Sequence, residues 1–255
     1  MLDNIKKEFS TRTLVLIPIA IVLNIVIGEL TLRLKLPIYL DSIGTVLVGA
    51  IAGPWAGALT GALANLIWGL FNPYAAAFFY VAAVIGVMAG LAGKSGAFQN
   101  ISPRWLSTII GAVFFFSLTV FILAFMNSST DETGYTSFPN MADLFSSYSI
   151  VFVIALLAGG AIGYFLMQGA GYAGLWGLAT GVIAAIISAP MAAYVFGGVT
   201  GSGTDLLVAA FRASGANIVA SVMAQGVVSD PFDKMLSFMI VWLILRSMPA
   251  RLKVR

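Results

Sequence analysis

The chain has 255 residues, of which 60% are hydrophobic and only 9% are charged, and its mean hydropathy is +1.00. Since soluble domains carry about 25% charged residues, this composition excludes a soluble globular protein and indicates an integral membrane protein. The chain has no His and no Cys, which excludes zinc and haem-thiolate sites, an imidazole base and disulfide bonds. We therefore expect no catalytic residue, no metal site and no cofactor in this chain, and no enzyme activity.

The net charge is +3, and the basic residues at the C-terminal end, in 246–255, directly follow an apolar run. This order is typical of a cytoplasmic tail after a last membrane helix, so we expect the lipid bilayer, and not nucleic acid, as a partner. The first apolar run is long enough to span and has no small-residue cleavage site. It is predicted to be a membrane helix rather than a signal peptide.

Eight apolar segments, separated by Pro, Gly and Asn, predict an all-α bundle that forms a single membrane domain over residues 1–255. The segments are approximately 13–34, 39–53, 54–71, 73–93, 103–126, 148–168, 172–196 and 229–246. At about 20 residues per crossing, they predict six to eight transmembrane helices. The lower number applies if the short second segment does not span and neighbouring segments merge.

The loops between these segments predict the topology. Residues 127–147 include three acidic residues and no Lys or Arg, so this loop is predicted to lie outside the cell. With the basic tail inside, eight crossings place both termini in the cytoplasm. Residues 197–228 hold two apolar pieces that are each too short to cross, and we predict a re-entrant or surface-lying pair there.

Small residues recur four positions apart in the third segment, at Gly57 and Gly61 and at Ala58 and Ala62. This spacing lets helix backbones approach closely in lipid. Packing within the chain is one interpretation of these residues. A docking face for a second membrane subunit is the other.

Polar residues at membrane depth are costly and are therefore candidates for function. Asp41 stands at the start of the second segment, either as the helix N-cap or as a ligand contact. The other candidates in this part of the chain lie around the end of the third segment: Asn65, Trp68, Asn72 and Tyr74. Amides beside aromatic rings suit a planar polar ligand, whereas an interfacial aromatic belt or a hydrogen bond between helices would explain them without a ligand.

A second candidate region follows Pro190, which interrupts the seventh segment. It contains Tyr194, Thr200 and Asp205 in a glycine-rich stretch. A broken helix at membrane depth is tolerated where it is buried in protein or lines a cavity, so we predict a binding site here. An outside loop in which Asp205 caps the next helix is the alternative. Asp230-Pro231 is predicted to start the eighth helix and to have no chemical role.

Residues 40–45 (Leu-Asp-Ser-Ile-Gly-Thr), 53–59 (Gly-Pro-Trp-Ala-Gly-Ala-Leu) and 65–69 (Asn-Leu-Ile-Trp-Gly) together resemble substrate-binding S components of energy-coupling factor (ECF) vitamin transporters. The resemblance implies a protein of a prokaryotic plasma membrane that binds a vitamin or similar organic micronutrient on the outer side. It also implies a transmembrane coupling subunit and ATPase subunits as partners, with ATP used by those subunits and not by this chain.

The leading hypothesis is therefore a membrane-embedded binding subunit for micronutrient uptake. A membrane sensor or scaffold module is one alternative. A self-sufficient secondary transporter is another, and it would need a membrane carboxylate for ion coupling, for which Glu29 is the candidate inside a predicted helix.

Overall fold

The computed structural model describes residues 2–130, 136–137, 139–213 and 215–248. Their helices are α1 (Leu2–Glu8), α2 (Thr11–Arg33), α3 (Ile43–Ala52), α4 (Pro54–Trp68), α5 (Pro73–Ala77), α6 (Phe79–Lys94), α7 (Arg104–Met126), α8 (Met141–Ser147), α9 (Ser149–Phe165), α10 (Gly171–Pro190), a π-helical turn (Met191–Val195), α11 (Asp205–Ala213) and α12 (Ile218–Ser247). Two very short strands, β1 (Ser129–Thr130) and β2 (Thr136–Ser137), form an antiparallel pair. The predicted all-α class is confirmed apart from this pair.

Within the described residues, three stretches are long and apolar enough to cross a membrane: α2, α7 and the run Gly171–Val195. Counting α8 and α9, which meet at 77°, as one span gives a fourth. Large apolar side chains such as Leu14, Val15 and Ile19 are exposed along α2, as expected for a face that contacts lipid rather than water. Length, composition and exposure thus indicate a membrane protein.

The bundle consists of an N-terminal half and a C-terminal half. In the N-terminal half α4 packs along α6, and α3 packs on both and on α2. In the C-terminal half α10 packs along α12 and α7 along α9. The halves meet where α6 contacts α10 and where α3 contacts α12.

Close glycine contacts join α4 to α6. A Cβ placed on Gly57 would lie 2.5 Å from the backbone oxygen of Gly86, and one on Gly61 would overlap the carbonyl of Ala82. Both glycines therefore pack within the chain, and the prediction that they face a second subunit is wrong for this conformation. Ala58 and Ala62 are half-buried, and their docking role stays a prediction.

The end of the bundle that carries Lys94, Arg104 and Arg246 is called the basic end below. There Glu8 accepts hydrogen bonds from the backbone N–H of Trp55 at 2.8 Å and from Lys94 Nζ at 3.0 Å. The carboxylate thus caps the start of α4 and holds it to the end of α6. The predicted basic tail continues beyond Met248, outside the described residues.

The predicted eighth helix starts eleven residues too late. Helix α12 begins at Ile218, where Asn217 Oδ1 accepts from the N–H of Ala220 at 2.9 Å. Asp230 and Pro231 lie within this helix, and their backbone packs against Gly181 of α10. The predicted re-entrant pair over 197–228 is therefore a loop, the short helix α11 and the first part of α12.

The predicted and observed elements also differ in smaller ways. The predicted fourth helix is divided at Phe78 into α5 and α6. In the predicted outside loop, Asp143 is exposed on α8. The other acidic residues of that loop, Asp131 and Glu132, lie outside the described residues.

Candidate functional site

A cavity of about 140 Å³ lies between the two halves of the bundle. Engineered cavities of about 150 Å³ hold benzene, so the space suits a molecule of about one aromatic ring. Its wall is contributed by α2, the segment before α3, α4, α5 and α6 on one side and by α10, the π-helical turn, the loop that follows, α11 and α12 on the other. We call the end of the bundle at which it lies, with Leu70 and Tyr74, the cavity end.

Seven of the eight predicted binding residues line this cavity: Asp41, Asn65, Trp68, Asn72, Tyr74, Thr200 and Asp205. The eighth, Tyr194, lies in the π-helical turn, is 77% exposed and is not part of the wall. The chain thus brings together two sequence regions that are about 130 residues apart in numbering. Contact of these residues with a ligand stays a prediction.

The end of α4 presents an aromatic ring and an amide. Trp68 is only 7% exposed, so an interfacial belt does not describe it, and its Nε1 donates to Glu29 Oε2 at 3.0 Å. Asn65 is 6% exposed, and within the described part of the chain its side chain makes no hydrogen bond. Because buried amides normally have partners, the Asn65 side chain is available to a ligand.

Asn72 and Tyr74 lie at the rim. Asn72 precedes α5 without a side-chain cap bond. The ring of Tyr74 packs edge-on against Phe196, with the ring centroids 5.0 Å apart. Tyr74 therefore joins α5 to the segment after the π-helical turn.

Asp41 does not cap α3. That role falls to Asn24 of α2, whose Oδ1 accepts from the N–H of Gly44 at 2.7 Å and whose Nδ2 donates to Thr45 Oγ1 at 2.8 Å. Asp41 instead pairs with Lys234 across the interface between the halves, at 3.4 Å. The N-cap interpretation of Asp41 is thus wrong.

Lys234 is at the centre of a buried polar cluster that the sequence interpretation missed. Its Nζ donates to Asp233 Oδ2 at 2.5 Å, to Ser42 Oγ at 3.1 Å and to Asp41. Asp233 Oδ1 in turn accepts from the backbone N–H of Leu40 at 2.8 Å. Leu40 has a positive φ of 51°, a strained conformation for a branched residue, which is held by this bond.

The missed residues share a pattern on α12. Polar side chains recur every four positions and are all buried: Gln225, Ser229, Asp233 and Ser237. Residues four apart lie on one helix face, so this stripe was visible in the sequence. The apparent N-cap at Asp230-Pro231 divided it between two predicted elements.

Asp230 adjoins the stripe and lines the cavity. It is 7% exposed. Its Oδ1 accepts from Ser229 Oγ at 3.1 Å, and Ser229 accepts from Gln225 Nε2 at 2.5 Å. Its Oδ2 makes no hydrogen bond to any residue that the structure describes. Asp230 is therefore a buried carboxyl group with an acceptor left for a ligand.

Asp205 organises the loop before α11. Its carboxylate accepts from the N–H of Thr200 at 2.9 Å and of Gly201 at 2.6 Å, and from Thr200 Oγ1 at 2.8 Å. Tyr39 anchors the same loop through a 2.7 Å hydrogen bond to Thr204 Oγ1. Burial raises the pKa of the Tyr39 hydroxyl well above its usual value, so this group stays protonated. The loop is thus tied to the opposite wall of the cavity.

The break after Pro190 turns the chain into this loop. The N–H of Met191 bonds to Ser188 instead of Ile187, and the carbonyl of Ile187 accepts from the Tyr80 hydroxyl at 3.1 Å. The Ile187 carbonyl is therefore satisfied by Tyr80 of α6. The π-helical turn continues the span and brings Ala192 to the cavity wall.

Fold and site together define a helical membrane protein with an internal cavity lined by amides, aromatic rings and carboxylates. Comparisons with protein-family models, with curated proteins and with solved structures found no match to this chain.

Proposed function

We propose that this protein is a membrane-embedded binding subunit for the uptake of a small organic micronutrient. The observation that carries the proposal is the cavity between the two halves, whose wall includes the Asn65 amide and the Asp230 Oδ2 atom, neither of which bonds to a residue that the structure describes. Both groups are open to the cavity and keep hydrogen-bonding capacity, as the few polar groups of a small-molecule site do. A ligand in the cavity would use that capacity.

The wall composition supports an organic ligand. Trp68, Tyr74 and Phe78 provide aromatic surface, and Asn65 and Asn72 provide amides. Few convergent polar groups on an apolar wall are typical of small-molecule sites. A vitamin-like heterocycle matches both the surface and the volume of about 140 Å³.

The coupling subunit and the ATPase subunits in this proposal rest on the resemblance to S components. The proposed topology has the chain pass eight times between the two ends, in α2, α3, α4, α6, α7, α9, α10 and α12. Both termini and the basic end then face the cytoplasm. The cavity end faces outward, which suits capture of an external nutrient.

Ligand detection on purified protein tests the proposal. We expect native mass spectrometry to show a co-purifying small molecule, and at least one compound of a vitamin panel to raise the melting temperature by about 5 °C or more at saturating concentration. Asn65→Leu removes the free amide at similar volume and is expected to abolish both signals.

The matched control is Asn100→Leu, since Asn100 is exposed near the basic end and away from the cavity. It should bind as the unaltered protein does. Absence of any co-purifying molecule together with no stabilisation by the panel would overturn the proposal, as would equal loss of binding in both variants.

A secondary transporter is the second candidate, and Asp230 is the observation that favours it. Glu29 is a poor candidate for ion coupling because it is bound to Arg33 at 2.8 Å and to Trp68. Asp230 is buried, lines the cavity and keeps a free oxygen, as coupling carboxylates do. Uptake into proteoliposomes that contain this chain alone, driven by an ion gradient and lost in Asp230→Asn, would establish this candidate over the first.

A further inference from the structure

The ionisable side chains around the cavity are unequal in charge. Three carboxylates line it, Asp41, Asp205 and Asp230, and a fourth, Asp233, lies directly behind. Among the described lining residues, Lys234 is the sole basic side chain. The wall therefore carries an excess of negative charge.

Lys234 cannot bind an anionic ligand without losing one of its hydrogen-bond acceptors. An ammonium group has three N–H donors, and those of Lys234 are directed at Asp233, Asp41 and Ser42. An anion would have to displace one of these acceptors and would also meet the surrounding carboxylates. The cavity thus disfavours a negatively charged ligand.

Asp230 is the carboxylate that has capacity for a ligand. Asp205 is engaged by Thr200 and Gly201, and Asp41 is paired with Lys234. The Oδ1 atom of Asp230 accepts one hydrogen bond, from the Ser229 hydroxyl, and its Oδ2 atom accepts none from a described residue. Asp230 makes no direct ion pair with a described residue, because the nearby Lys234 is bonded to Asp233, Asp41 and Ser42. A cation placed beside Asp230 would gain a favourable charge interaction.

The rest of the wall suits an organic cation rather than a metal ion. The described residues contain no group of three or more acidic side chains placed to hold a metal. The Trp68 indole has its N–H committed to Glu29 and is left with its ring surface, which attracts cations. Asn65 adds amide hydrogen bonds at the same wall.

We infer that the cavity takes a flat organic cation of about one aromatic ring, with its positive charge against the carboxylate of Asp230. The inference rests on the proposed function, since it names the chemical class of the ligand for the same site.

Three single-ring probes of nearly equal shape separate charge from size: 1-methylnicotinamide, nicotinamide and nicotinate, which are a cation, a neutral molecule and an anion. We expect calorimetric titration of the purified protein, in a non-ionic detergent at low ionic strength, to show that the cation binds at least about tenfold more tightly than the neutral probe. Nicotinate is expected to bind most weakly.

Asp230→Asn keeps the shape of the side chain and should reduce the advantage of the cation about tenfold or more. Asp143→Asn makes the same chemical change on the exposed surface of α8 and should leave the ratio unaltered. The comparison of probes on the unaltered protein does not depend on the folding of either variant.

Equal binding of the three probes, or tightest binding of nicotinate, would overturn the inference and leave the proposed function standing. So would retention of the cation preference in Asp230→Asn. If none of the probes binds, the charge of the co-purifying molecule tests the inference instead. A cation supports the inference, and a neutral molecule or an anion refutes it. If no molecule co-purifies either, the inference fails, and the proposed function fails with it when no compound of the vitamin panel raises the melting temperature.

Discussion

The carboxylate of Asp233 is completely buried and holds groups from two parts of the chain. It pairs with Lys234 and accepts from the backbone N–H groups of Tyr39 and Leu40. Asp233 therefore helps to fix the segment before α3 to α12.

Asp233→Asn removes the nearer of the two carboxylates that pair with the buried Lys234 ammonium group, and we expect a loss of about 3 kcal/mol in unfolding free energy. The measurement is equilibrium unfolding in mixed micelles. Asp143→Asn, at an exposed position, should change the stability by less than about 0.5 kcal/mol. The double replacement Asp233→Asn with Lys234→Met should recover part of the loss, and no loss in the single variant would contradict this role of Asp233.

The positive φ of Leu40 leads to a second prediction, on the stability of variants at this residue. Left-handed conformation costs residues with a Cβ about 1 kcal/mol or more, but not glycine. We therefore expect Leu40→Gly to be more stable than Leu40→Ala by about 1 kcal/mol. At Leu157, which is exposed on α9, the order should be reversed because alanine is the better helix former. Thermal melts of the four variants show, at each position, whether the Gly or the Ala variant is the more stable. The same order at both positions would refute the prediction.

At the scale of the elements, α10 and α12 meet through glycines. A Cβ on Gly181 would lie 2.5 Å from the backbone oxygen of Asp230, so the helices would have to separate. Displacement of Asp230 would also alter the cavity wall.

We expect Gly181→Ala to destabilise the protein by about 1–3 kcal/mol and to weaken ligand binding. Gly160→Ala is the matched control, because a Cβ there would lie 3.4 Å from Thr108 Cγ2, at ordinary contact distance. It should be neutral or slightly stabilising. Melting temperature and ligand titration of the two variants test this, and a similar effect of both would refute the proposed close approach.

The elements differed in how far the sequence could predict them. Continuous apolar runs bounded by polar residues predicted α2, α7 and α9 to within a few residues, because burial in lipid requires such runs. Helix α12 was mispredicted because its polar residues face another part of the protein. The hydrophobicity pattern of the sequence shows that these residues are polar, but it does not show which residues they contact. The cavity was predictable from Asn65 and Trp68 on one wall, whereas Asp230 had a sufficient local explanation as a cap.

At the scale of the whole molecule, the two ends differ in charge. The basic end carries Lys94, Arg104 and Arg246. At the cavity end, Asp143 and Asp205 accompany Lys35, Arg212 and an Arg33 that is paired with Glu29. Positive residues are retained on the cytoplasmic side. The cavity is therefore expected to open outward.

The absence of Cys from the chain allows a direct test of this orientation. Leu70 at the cavity end and Ile101 near the basic end are 84% and 86% exposed. In intact cells, a membrane-impermeant maleimide should label Leu70→Cys, and it should label Ile101→Cys only after the membrane is permeabilised. The reverse pattern would place the cavity on the cytoplasmic side and contradict a role in capturing external nutrients.

The charged centre of α12 also has a consequence for how this protein enters the membrane. Asp or Lys at the middle of a lone helix costs about 2.5–3.5 kcal/mol each on insertion, so α12, with Asp230, Asp233 and Lys234, is a poor membrane segment on its own. Helix α3 and the segment before it are synthesised first and present Asp41, Ser42 and the Leu40 N–H at the matching depth. Stable insertion of α12 would then depend on the earlier half of the chain. Membrane insertion of α12 and formation of the cavity would therefore occur together.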